Sequence, residues 1–231
     1  MRMFWHKTRN FGDNLGPALV KGLLGCDIEF AGQNEEMKLI AVGSIMFAMR
    51  YGDVIWGTGL IEPKKMKAPG GVKFLSVRGP LTRELIEGDM PEVYGDSALA
   101  LPEIYRPEVE KKYEIGYVPH YVHRGKITPV DGPVIDVLMP WQEVVKAIMS
   151  CKKIASSSLH GIIVAEAYGI PACWADWGGG VIGGKFKFHD YLLGTGRKQD
   201  DIGGFLPPIE GLEERRKKII EILRGHYGRK D

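Results

Sequence analysis

An imidazole, two hydroxyls and a glycine stand together at Ser157-Ser158-Leu159-His160-Gly161. Before them, Lys153-Ile154-Ala155-Ser156 reads as the end of a short buried strand. After them, Ile162 to Tyr168 is apolar on most faces and predicts a helix, which stops at Gly169 ahead of Pro171. A helix N-terminus offers free backbone N–H groups and the positive end of its dipole, so this turn suits an anion. His160 beside it has the chemistry of a proton donor or a phosphate contact. Ser and Gly are also ordinary capping residues, and a histidine here could be purely structural. No glycine precedes the serines at the spacing of a hydrolase nucleophile elbow.

A second polar turn is Asn10-Phe11-Gly12-Asp13-Asn14-Leu15-Gly16, between a strand at Met3-Phe4-Trp5 and a helix from Pro17 to Leu24. It could cradle an anionic or sugar ligand, or Asp13 and Asn14 could cap the helix. It matches neither a dinucleotide fingerprint nor a P-loop. Arg78 ends a strand at Phe74 to Val77 and opens a helix at Leu81 to Glu87. Facing a crevice, it would grip a phosphate or carboxylate through two hydrogen bonds; on the surface it would pair with Glu84 or Glu87.

The elements that must position these groups form two α/β series. Strands at Lys38 to Val42 and Val54 to Trp56 complete the first, with Tyr94 to Leu99 as a further short strand and turn. Pro102 to Lys112 is charged and Pro-bearing and reads as a linker. Tyr113 to Pro119, Val134 to Val137, a helix from Trp141 to Met149 and Ile170 to Trp174 make the second. Asp176 to Gly184 reads as a mobile Gly-rich loop, and Leu212 to Arg224 as a basic amphipathic helix with a solvated face. In such folds ligands lie at the carboxyl ends of the strands. A net charge of +2 gives no case for nucleic acid. Three scattered cysteines suit free thiols in a reducing compartment. Neither a signal peptide nor a membrane span is readable, so the expectation is a cytoplasmic protein.

Six separate stretches resemble one family, the polysaccharide pyruvyl transferases. They are Asn10 to Asn14, Val77 to Thr82, Tyr94-Gly95-Asp96-Ser97-Ala98, Val118-Pro119-His120, Ser156 to Gly161 with Gly169-Ile170-Pro171, and Lys187-Phe188-His189-Asp190-Tyr191. They occur in the family's order and span most of the chain. The nearest look-alikes are short members acting in succinoglycan-type exopolysaccharide synthesis.

The resemblance implies two Rossmann-like domains facing across a cleft, as in GT-B glycosyltransferases. The expected division is residues 1–105 on the acceptor side and 106–231 on the donor side, with the terminal helix crossing back. It implies transfer of the enolpyruvyl carbons of phosphoenolpyruvate onto two sugar hydroxyls, forming a ketal on an exopolysaccharide or its lipid-linked precursor. Peripheral contact with the inner membrane face through such a substrate goes with this. His160 is the expected general acid, with His120 the runner-up, and Asp13 or Asp96 would take a hydroxyl proton or hold the sugar. Arg78, Ser157, Ser158, Gly161, Lys185 and Lys187 are expected on the donor, and Gly12, Asn14 and Asp96 on the acceptor. No metal or cofactor is required beyond phosphoenolpyruvate as co-substrate. Many members carry Arg where this chain has Ser158, so either Arg78, Lys185 or Lys187 compensates, or donor binding differs or is lost. A nucleotide-sugar glycosyltransferase and a non-catalytic sugar- or anion-binding relative are the alternatives.

Overall fold

The computed structural model describes residues 1–129 and 131–228. Its first half runs β1 (Arg2–Phe4), α1 (Leu15–Leu24), β2 (Glu29–Phe30), β3 (Leu39–Ala41), β4 (Val54–Trp56), β5 (Met66–Lys67), β6 (Lys73–Ser76), α2 (Pro80–Leu85) and β7 (Ile86–Glu87). The second half runs β8 (Tyr113–Val118), α3 (Trp141–Met149), β9 (Cys151–Ser156), α4 (Leu159–Ala167), β10 (Ala172–Trp174), α5 (Phe186–Gly194) and α6 (Leu212–His226).

The first sheet is parallel, in the order β2-β1-β3-β4-β6. Successive strand residues point to opposite faces. Met3, Leu39, Ala41, Trp56 and Leu75 therefore enter one apolar cluster, while Phe4, Ile40, Ile55 and Phe74 enter another. The second sheet is also parallel, in the order β10-β9-β8. A single parallel bridge from Tyr117 to Val134 extends it beyond β8. In both sheets the chain returns to the far side of its first strand, which leaves a topological switch between β1 and β3 and another between β8 and β9. Side chains outside the carboxyl ends at such a switch have room for a ligand.

The larger apolar cluster runs continuously from the first sheet to the second through α1, α4 and the 3₁₀ helix Ser97–Glu103. Helix α6 joins both halves. Trp56 Nε1 donates to Ile219 O at 2.8 Å, and buried Arg216 donates to Leu99 O at 2.9 Å and to Ala167 O at 2.6 Å. No helix among the described residues is long and apolar enough to cross a membrane.

Three sequence expectations change. Tyr94 makes only one bridge, to Val77, and the following residues form the buried 3₁₀ helix capped by Asp96, whose Oδ1 accepts the Ala98 N–H at 2.9 Å. The presumed linker thus begins inside packed structure, since Leu99 to Pro102 are buried. Helix α4 starts at Leu159 rather than Ile162, placing His160 within its first turn. Ser158 is extended, with its N–H on Ser156 Oγ at 3.0 Å, and hands the chain directly into the helix.

Candidate active site

A cleft of about 500 Å³ opens where the two switches face each other. After β1 the chain contributes Thr8 and Asp13, and after β3 Gly43 and Ser44. From across the cleft, the segment after β8 contributes His120, and the turn into α4 contributes Ser158 and His160. Lys187, near the start of α5, completes it.

His160 shows part of its surface to the cleft, yet its Nε2 is buried without a hydrogen-bond partner. Burial, then the charges of Arg78 and Lys187, hold its pKa down at about 3. The ring rests on Gly12: a Cβ there would stand 2.2 Å from His160 Nδ1. Gly12 is therefore needed for this close approach. His120 is neutral as well, its pKa lowered to about 4 by burial, Lys187 and His123. Lys187 is 7% exposed, and its ammonium makes no ion pair or hydrogen bond among the described residues. Burial and Arg78 lower its pKa to about 8, while Asp13 pulls the other way. Asp13 accepts from Thr8 Oγ1 at 2.5 Å, and burial raises its pKa. Lys187 thus stands on a partly desolvated wall beside two neutral imidazoles, with the Asp13 carboxylate also lining the cleft.

Arg78 lies elsewhere than the sequence suggested. It is fully buried and does not line the cleft. Its Nε donates to Asp190 Oδ2 at 3.0 Å, Nη2 to Leu60 O at 2.5 Å and Nη1 to Ser44 Oγ at 2.6 Å. Glu84 and Glu87 are not its partners. Since Ser44 accepts from Arg78, its own O–H is left to point at a ligand, and the guanidinium polarises it. The Arg78 charge therefore reaches the cleft through a hydroxyl. The chain reaches Ser44 through Val42 at φ +31°, an unfavourable backbone for a β-branched residue. Ser97 Oγ steadies this corner by accepting the Val42 N–H at 3.1 Å.

The remaining candidates divide. Asn14 Nδ2 donates to Thr8 O and Asn10 O and holds the first turn's shape. Ser157 is buried and fully engaged. It accepts the His120 N–H at 2.8 Å and bonds His123 Nδ1 at 2.8 Å. His123 Nε2 donates to the Gly179 carbonyl at 2.6 Å, and in that neutral tautomer the Ser157 hydroxyl donates to Nδ1. Gly161 packs where a Cβ would meet Ser156 Oγ at 2.3 Å. Lys185 stands over the Trp174 ring at 5.1 Å, beside a separate pocket. None of these four lines the main cleft. Ser44, Thr8 and His6 do, and sequence reasoning passed over them; the glycine turn at Gly43-Ser44 after a buried strand was the available signal for Ser44. Among the described residues no group of three or more His, Cys, Asp or Glu could hold a metal ion.

Asp96 is also away from the cleft. It is wholly buried, Oδ2 has no partner, and burial pushes its pKa up to about 6. A raised carboxyl favours folding when protonated, and that contribution is lost as pH rises from its unfolded value through about 6. Asp96→Asn keeps an acceptor for the cap, so its unfolding temperature is expected to lose the decline the parent shows between pH 4 and 6. Scanning calorimetry across that interval measures it; parallel curves for the two proteins would contradict the assignment.

Two parallel α/β sheets thus place Lys187, Ser44, His160 and Asp13 around one cleft near the carboxyl ends of their strands. The sequence model of the family "Polysaccharide pyruvyl transferase" matches residues 38–179, more than half of the chain, and the chain belongs to that family. It is also 34% identical over 175 residues to an uncharacterized protein of Acanthamoeba polyphaga mimivirus, covering 69% of this chain and 60% of that one. The chain therefore spans less than two thirds of that relative's length. No solved structure matches.

Proposed function

We propose that this protein transfers the pyruvyl group of phosphoenolpyruvate to two hydroxyls of a sugar in an exopolysaccharide or its lipid-linked precursor, in a GT-B-like arrangement of its two halves. What carries the reading is the convergence of Lys187, the Arg78-polarised Ser44 hydroxyl and the α4 N-terminus on one cleft, with Asp13 opposite. The donor's phosphate and carboxylate meet the two hydrogen-bond donors and the helix N-terminus. The sugar lies against the turn after β1. A proton added to the methylene carbon leaves an oxocarbenium-like centre at the neighbouring carbon, which a sugar hydroxyl attacks. The second hydroxyl then displaces phosphate and closes the ketal. Of the two hydroxyl protons released, one balances the proton placed on carbon and the other leaves with phosphate. His160, held neutral in the free protein by burial first and by Arg78 and Lys187 next, gains its proton through the donor's negative charge beside it. Asp13, with its raised pKa, accepts a hydroxyl proton.

The test is phosphate release from phosphoenolpyruvate that depends on an added glycan, with His160→Gln retaining donor binding but losing turnover about 100-fold or more. Release of a nucleoside diphosphate from a nucleotide sugar would replace this reading with glycosyl transfer. Saturable binding without turnover would make the protein a binding relative.

A further inference from the structure

The cleft does not end at His6. Phe4, the last residue of β1, is buried, and three rings surround it: His6 at 5.8 Å, Phe47 at 6.3 Å and Phe30 at 6.4 Å between centroids. His6 and Phe47 are 5.5 Å apart and both line the cleft. On the other side, Trp5 meets Phe30 edge-on at 5.0 Å. Phe47 is 41% exposed and Phe30 36% exposed. The Lys7 ammonium stands 3.7 Å from the centre of the Phe30 ring. All these rings lie at the carboxyl ends of β1, β2 and β3, the same edge as the cleft.

Exposed aromatic rings are costly to leave in water and normally have a partner. We infer that this shelf is a subsite for a second sugar ring of the acceptor, next to the one that takes the pyruvyl group. The inference rests on the proposed acceptor reading of the cleft. One face of a pyranose carries C–H groups, which gain dispersion energy and favourable electrostatics over the electron-rich face of a ring. Its edges carry hydroxyls, and the Lys7 ammonium, which covers one face of Phe30, and His6 set hydrogen-bonding groups beside the exposed Phe47 ring. The shelf also continues the cleft without a gap, because His6 and Phe47 belong to both.

Calorimetric titration without donor tests the subsite independently of any reaction, using glucose, galactose and mannose oligomers of one, two and four units. For at least one of these sugars the tetramer is expected to bind about tenfold tighter than the monomer, a gain near 1.4 kcal/mol. In Phe47→Ala and Trp5→Ala that ratio falls toward one, and Phe47→Trp keeps it. A ratio near one for every sugar in the parent protein, or an unchanged ratio in both alanine variants, overturns the inference. So does loss in Phe47→Ala of binding to phosphatidylglycerol vesicles with no length dependence for sugars, which would assign the shelf to a lipid surface. A length-dependent ratio without phosphate release from phosphoenolpyruvate would uphold the subsite and remove the reaction.

Discussion

Lys187→Met is expected to weaken phosphoenolpyruvate binding about 30-fold or more at pH 7, while making the free protein more stable. The two effects have one cause. The Lys187 side chain is almost wholly buried, and its ammonium has no ion pair or hydrogen bond among the described residues. Burial, followed by the nearby Arg78, lowers its pKa to about 8, so folding holds a charge it disfavours. A methionine of similar length removes that penalty, worth on the order of 2 kcal/mol. An incoming anion gains the same charge as a partner in a poorly hydrated site, and losing one side of such a pair costs about 2–5 kcal/mol. The sign with pH follows. Below pH 8 the ammonium is charged and the anion binds; as pH rises through about 8 the parent loses affinity, and Lys187→Arg does not. Calorimetry from pH 6.5 to 9 with denaturant unfolding measures both. Unchanged affinity in Lys187→Met would place the donor elsewhere.

Asp190→Ala is expected to destabilise the fold by about 3–5 kcal/mol, lowering the unfolding temperature by roughly 10 °C. The carboxylate and Arg78 are both fully buried. Oδ2 accepts from Arg78 Nε at 3.0 Å and Thr82 Oγ1 at 2.7 Å, and Oδ1 accepts the Thr82 N–H at 2.9 Å. Removing it leaves a guanidinium and two further donors without their acceptor. The approach of α5 to α2 is so close that a Cβ on Gly79 would overlap the Asp190 carbonyl, at 1.8 Å. The pair therefore clamps α5 and fixes Lys187 on its preceding turn. The double variant Arg78→Met/Asp190→Leu is expected to recover most of the stability, since no buried charge is stranded. Donor affinity should not recover with it, because Ser44 loses the group that polarises it. Unfolding of Asp190→Ala at the parent temperature would show the clamp to be unimportant.

Arg78 also shows where local reasoning stops. An Arg at a strand's carboxyl end looks the same in sequence whether it grips a substrate or an aspartate 112 positions away. The partner came from α5, and only the packing of α5 against α2 selects it. Tyr94 to Leu99 reads in sequence as a short strand and turn; the strand is a single bridge from Tyr94 to Val77, and the turn tightens into a 3₁₀ helix. The Asp96 cap, whose carboxylate takes the Ala98 N–H, decides for the helix. Likewise Ser157 and Gly161 were read as ligand contacts from their types, but fold into loop-to-loop bonding and close packing.

The sequence by itself determined what short-range sterics and periodicity control. The strands β1, β3, β4 and β6 and the helix stop at Gly169 ahead of Pro171 were legible in the residues alone. So was the family, because its six short motifs keep their order along the chain. Only the tertiary structure decided which side chains meet. Gly12 fits beneath His160, Lys187 stands opposite Asp13, Ser44 hides Arg78 from the cleft, and Phe4 gathers His6, Phe30 and Phe47. Those contacts join segments far apart in the chain. They form because two sheets bury a shared core and so bring the ends of their strands together, a constraint that no local pattern of residues carries.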